Sequence, residues 1–95
     1  MTHYVLLKLS DQADKDAVWR RVCDTYAALD KELPFLHDPV VHRSCVERDT
    51  NADIMAVIKL DDPSQLQTYL THPLHTQMAA DLKEQIIGRT SFDHE

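Results

Sequence analysis

An α+β domain with element order β-α-β-β-α-β and one antiparallel four-stranded sheet is predicted by three features of this 95-residue sequence. Residues alternate with period two at His3 to Leu9 and at Asp53 to Leu60. Apolar residues recur at three- and four-residue steps around Trp19 to Leu33 and again around Leu66 to Ile86. Proline and polar clusters separate these stretches at the places where the chain must turn.

The first strand runs from His3 to Leu9, with His3, Val5, Leu7 and Leu9 on one face and Tyr4, Leu6 and Lys8 on the other. A helix follows from about Ala13 to Glu32, with Asp11 or Asp14 as cap. Its apolar face carries Trp19, Val22, Cys23, Tyr26, Leu29 and Leu33. Pro34 and Pro39 punctuate the exit, and Val40 to Val46 reads as a second strand. The polar Glu47 to Ala52 segment turns into a third strand, Asp53 to Leu60, which carries apolar residues on both faces. Asp62, Pro63 and Gln65 form a capping-box-like helix start. The helix restarts at Pro73, with Thr71 or His72 as cap, and carries a Leu74, Met78, Leu82, Ile86 stripe as far as Ile87. Gly88 is expected to stop it, and Arg89 to Asp93 forms the last strand.

These elements make a single ferredoxin-like domain over residues 1–95, with two helices on one sheet face. A chain of this size buries about two thirds of its unfolded surface, and its helices leave the second sheet face uncovered. A homodimer through that face, a dimeric α/β barrel, is therefore expected. The formal net charge of −6 and the lack of any basic stretch beyond Arg20-Arg21 argue against nucleic acid. No apolar run is long enough to cross a bilayer, so no membrane partner is expected. The first residues lack a basic leader, and Cys23 and Cys45 lack C-x-x-C spacing. A cytoplasmic protein with two reduced thiols is the expectation.

The stretch Tyr69-Leu70-Thr71-His72-Pro73-Leu74-His75 holds the candidate chemistry. His75 is the best acid or base, because imidazole titrates near neutral pH, and it lies beside the apolar stripe. Tyr69, one turn before the break, can donate to a carbonyl or enolate oxygen. Both also have plainer readings, as a partly buried histidine on a backbone carbonyl and as a core aromatic. His72-Pro73 serves the helix break. His3, Asp53, His75 and His42 are a conceivable metal set, but no metalloenzyme spacing supports it, and neither metal nor cofactor is expected.

The Tyr-x-x-His-Pro-x-His spacing, the apolar helix after it and the closing Phe92-Asp93-His94-Glu95 resemble the stress-responsive dimeric α/β-barrel (Dabb) family over essentially the whole chain. The resemblance implies face-to-face packing of two sheets and a cavity between sheet and helices in each subunit. The family includes a plant polyketide cyclase. Superposing the motifs carries its catalytic tyrosine and histidine onto Tyr69 and His75, and pocket residues onto His3 and Tyr26. Another pocket histidine of that enzyme is replaced here by Asp53, which changes the charge expected in the cavity.

The reading that follows is a cavity over Val5, Leu7, Met55, Val57 and Met78, with His3, Tyr26 and Asp53 as further lining. His75 and Tyr69 would catalyse a cofactor-independent cyclisation, isomerisation or lyase step on a small hydrophobic, carbonyl-bearing or polyketide-like molecule. The alternative is a non-catalytic stress-responsive or ligand-carrier protein in the same fold. A haem-degrading or quinol-oxidising monooxygenase, which uses a similar barrel, has little support in the residues.

Overall fold

The computed structural model describes residues Met1–Glu95. Its strands are β1 (Thr2–Leu9), β2 (Leu36–Arg43), β3 (Ile54–Leu60) and β4 (Ile86–His94). Its helices are α1 (Lys15–Glu32), α2 (Leu66–Thr71) and α3 (Pro73–Leu82), with a single 3₁₀ turn at Pro63–Gln65 before α2. The sheet order is β2-β3-β1-β4, and every neighbouring pair is antiparallel. This is the ferredoxin-like α+β fold, in which each helical connection steps over one strand to join strands that are not neighbours.

Strand alternation decides what the helices cover. Val5, Leu7 and Leu9 of β1 and Ile54, Ala56, Ile58 and Leu60 of β3 are all buried beneath the helices. From α1 they meet Val18, Val22, Tyr26 and Leu29. The buried face of α1 thus runs through Val18 and Thr25, slightly rotated from the expected Trp19 and Cys23, which are only partly buried. Asp14 caps this helix by accepting from the Ala17 N–H. Asp62 and Gln65 form the anticipated capping box, and His72 caps α3 by accepting from the Leu74 N–H through Nδ1 at 3.1 Å.

Two element boundaries differ from expectation, each at a bulge. β2 begins at Leu36, not Val40, and ends at Arg43. Its register with β3 slips by one residue between His37 and Val40, where Asp38 has a positive φ of 50°. Pro39 is therefore inside an edge strand, at the irregularity that tolerates a missing N–H. Helix α3 stops at Leu82, five residues before Ile87, and Gly88 lies within β4 rather than ending a helix. There it faces Lys8, and a Cβ added to it would sit 3.2 Å from the Lys8 Cβ. The neighbouring pairs are Lys8 with Gly88 and Leu9 with Ile86, so Ile87 is the bulged residue. Bulges of this kind re-aim strand ends beside sites, and this one lies at the mouth of the cavity described below.

The opposite sheet face has no covering element. Val40, Val57, Tyr4 and Phe92 are paired in one row across all four strands, and His42, Met55, Leu6 and Thr90 form the next. Val40 is 45% exposed and Phe92 62% exposed. No helix is long and apolar enough to cross a membrane.

Candidate functional site

Between α3 and the β1–β4 side of the sheet lies a cavity of about 290 Å³. Val5, Leu7, Met78, Ala79, Leu82 and the Ile86-Ile87 pair form its apolar wall. Its polar groups are Tyr26, His75, Lys83 and Arg89. Side-chain packing therefore leaves space next to the motif histidine, at the lower end of the sizes typical of small-molecule sites.

His75 is held by the helix break. It is the third residue of α3, and its Nδ1 donates to the Leu70 carbonyl in the last turn of α2, at 3.0 Å. That bond assigns the proton of the neutral ring to Nδ1 and leaves Nε2 as an acceptor. Nε2 faces Arg89 across 3.5 Å. Burial, reinforced by the Arg89 charge, holds the imidazole pKa below its ordinary value of 6.5, against a smaller opposite push from the Leu70 carbonyl. The ring is accordingly a neutral base at pH 7. Because an unfolded chain takes up this proton at higher pH than the folded one, stability is complete above about pH 6.5 and falls as pH is lowered towards the depressed folded value. Urea titrations between pH 7.5 and 5 should show this loss in the wild type, and His75→Asn should lack that component.

Tyr26 lines the cavity, as expected, whereas Tyr69 lies behind it. Tyr69 is fully buried, its ring packed edge-on to both His75 at 4.9 Å and His3 at 5.6 Å, and it does not line the cavity. Its hydroxyl pairs with that of Tyr26, which does line the cavity. This contact is the one polar partner of each hydroxyl within the chain, and either can donate in it. Burial pushes both phenols above their ordinary range, with the Arg89 charge a smaller opposing effect. Both phenols are therefore neutral at pH 7. Removing the inner or outer hydroxyl has unequal consequences. Tyr26→Phe strands a buried Tyr69 hydroxyl and should cost about 1–3 kcal/mol, whereas Tyr69→Phe leaves Tyr26 open to the cavity and should cost about 1 kcal/mol. Urea midpoints of the two variants decide this order.

Of the remaining expected lining residues, Val5, Leu7, Tyr26 and Met78 are at the cavity. His3 sits just behind it, buried against Tyr69, with Nδ1 hydrogen-bonded to Asp93 of β4. Met55 and Val57 are not there. They pair directly with Leu6 and Tyr4, so the pleat turns them to the uncovered face, opposite to Val5 and Leu7. Asp53 is also elsewhere, accepting from the Leu9 N–H at 2.7 Å and from Lys15 at 3.2 Å. Burial opposes its ionisation, but the Leu9 and Lys15 hydrogen bonds outweigh that and keep the carboxyl below its ordinary range. His42 lies on the uncovered face beside Met55, so His3, Asp53, His75 and His42 do not converge as a metal set.

Arg89 and Lys83 are the charged cavity residues that the sequence-based reading did not name. Arg89 pairs with Leu7, which places it on the helix-facing side of β4. The signal was the β-branched Ile86-Ile87 pair: reading a strand from there, rather than a helix through it, makes Arg89 the next cavity-side polar residue.

A split β-α-β sheet with a largely apolar cavity between its helices and an edge strand defines a ferredoxin-like protein with an internal small-molecule-sized space. The chain belongs to the stress-responsive A/B barrel (Dabb) family, whose model matches residues 1–95. A dimeric protein of unknown function from Bacteroides fragilis is similar in structure, with 24% identity, a TM-score of 0.85, and coverage of 99% of this chain and 93% of that one. A Dabb family protein from Mesorhizobium loti shares 14% identity with a TM-score of 0.72, over 99% and 93% of the two chains. The hydroxynitrile lyase of Passiflora edulis shares 9% identity with a TM-score of 0.77, over 98% and 89%. No curated protein sequence shows significant similarity to this one.

Proposed function

We propose that this protein is a homodimeric small-molecule enzyme in which neutral His75 moves a proton on a carbonyl-bearing substrate held in the cavity. One observation carries the reading: the Nδ1–Leu70 hydrogen bond leaves Nε2 as a buried acceptor that faces the Arg89 guanidinium at 3.5 Å, in a cavity that side chains do not fill. Nε2 takes the proton from a carbon next to a carbonyl, or from the hydroxyl of a carbonyl adduct, and returns it later in the cycle. The Tyr26 hydroxyl, polarised by Tyr69, and the Arg89 guanidinium supply donors and charge for the developing oxyanion. These steps suit an isomerase, a cyclase or a lyase, and the lyase neighbour from Passiflora edulis is a structural relative of that class.

The dimer is proposed to form through the uncovered sheet face. Its Val40, Val57, Tyr4, Phe92 row and the dimeric state described for structural neighbours support this arrangement. Met55 and Val57 then serve the subunit interface. The test of the catalytic reading is a panel of small cyanohydrins, β-keto acids and polyketide-like β-diketones assayed for turnover, with His75→Asn alongside. Turnover that survives the substitution, or a panel left untouched by the wild type, defeats it in favour of a ligand carrier.

A further inference from the structure

Arg89 and Lys83 are both at the cavity, and neither makes an ion pair. No acidic side chain lines the space, although acidic residues outnumber basic ones by 16 to 10 in the sequence. Arg89, which also faces His75 Nε2 at 3.5 Å, and Lys83 are thus the charged groups of a largely apolar cavity in a net-negative protein. The remaining wall, including Val5, Leu7, Met78 and Leu82, is hydrophobic.

We infer that the ligand of this cavity is a small carboxylate, its head group bound by Arg89 and Lys83 and its apolar body lying along Met78 and Leu82. The inference rests on the reading of the cavity as a ligand site and names the chemical class that site selects. The planar guanidinium matches a carboxylate with two parallel hydrogen bonds, and Lys83 adds a point charge from the end of α3. Phosphate sites are typically built from glycine-rich turns and helix N-termini. Here the one glycine of the lining is in a strand, and the cavity runs along α3 from His75 in its first turn to Lys83 at its C-terminus, where the dipole disfavours a multiply charged head. A single negative charge is what two cations and that helix end balance. The carboxylate also gives the substrate a fixed orientation, with its head beside Arg89, which faces His75 Nε2 at 3.5 Å.

The test compares hexanoate with hexanamide, two probes of nearly equal shape that differ in charge, by NMR titration of the dimer following the His75 ring and Met78 methyl resonances. Hexanoate should bind saturably and about tenfold or more tighter than hexanamide. The Arg89→Gln/Lys83→Gln double variant should level the two. Both residues are exposed, so the substitutions leave the buried core intact. Equal binding of acid and amide, a preference that persists in the double variant, or no saturable binding of either overturns the inference. These outcomes read ligand charge alone. The acid/base reading stands or falls separately, on turnover by His75→Asn across neutral and anionic substrates.

Discussion

Replacing His75 with Asn is expected to lower turnover about 10²- to 10⁴-fold, the usual contribution of a positioned acid or base. Asn is chosen because its side-chain amide nitrogen falls near the position of Nδ1 and can still donate to the Leu70 carbonyl, the bond that ties α3 to α2. What it lacks is Nε2. The fold should therefore survive, with an unchanged urea slope and a small shift of midpoint. His75→Ala should in addition lose about 1 kcal/mol for the missing hydrogen bond, and more for the space left among Tyr69 and Met78. A comparison of kcat in the two variants separates chemistry from stability. If Asn restores most of the activity that Ala loses, His75 positions α3 and transfers no proton.

Val57→Asp is expected to dissociate the proposed dimer while sparing the subunit core. Val57 lies on a central strand, in the middle of the row Val40, Val57, Tyr4 and Phe92, and its neighbours Ala56 and Ile58 face the helices. Covering this face with a second sheet buries the new carboxylate without a partner. An uncompensated buried charge costs about 3–5 kcal/mol, which raises the dimer dissociation constant about 10²- to 10⁴-fold. Sedimentation across a range of protein concentration reads this directly. Lys59→Asp is a control, since Lys59 is on the same face but already solvated, with its side chain 61% exposed. Dimers that persist in Val57→Asp with wild-type affinity exclude this face as the interface.

The legible and illegible parts of the fold differ in kind. β1, β3 and α1 were readable because their burial repeats with the period of their own backbone. The caps at Asp62 and His72 were readable because they depend on neighbours only two or three residues away. The errors fell where distant chain segments adjust one another. The bulge at Asp38 lengthened β2 towards Leu36, and the bulge at Ile87 drew Ile86 to Gly88 out of an apparent helical stripe and into pairing with β1. The site shows the same division. His75 beside its break was visible as a motif. The order of the two tyrosines, and the approach of Arg89 from β4 to a histidine fourteen residues earlier, depend on packing among four elements.

One mistaken expectation turned on the register between β1 and β3. Two antiparallel neighbours place directly paired residues on the same face, so Met55 and Val57 cannot share a cavity with Val5 and Leu7 when Leu6 and Tyr4 are their partners. The pattern shows which residues of each strand belong together but not the register between strands, and a shift of one residue exchanges the faces. By itself the sequence determined the element types, the caps, the helix break and the presence of an imidazole beside it, because these follow from local backbone preferences. Tertiary structure alone decided register, the two bulges, the proton-bearing nitrogen of His75 and the cations that face it, because each depends on contacts between residues far apart in the chain.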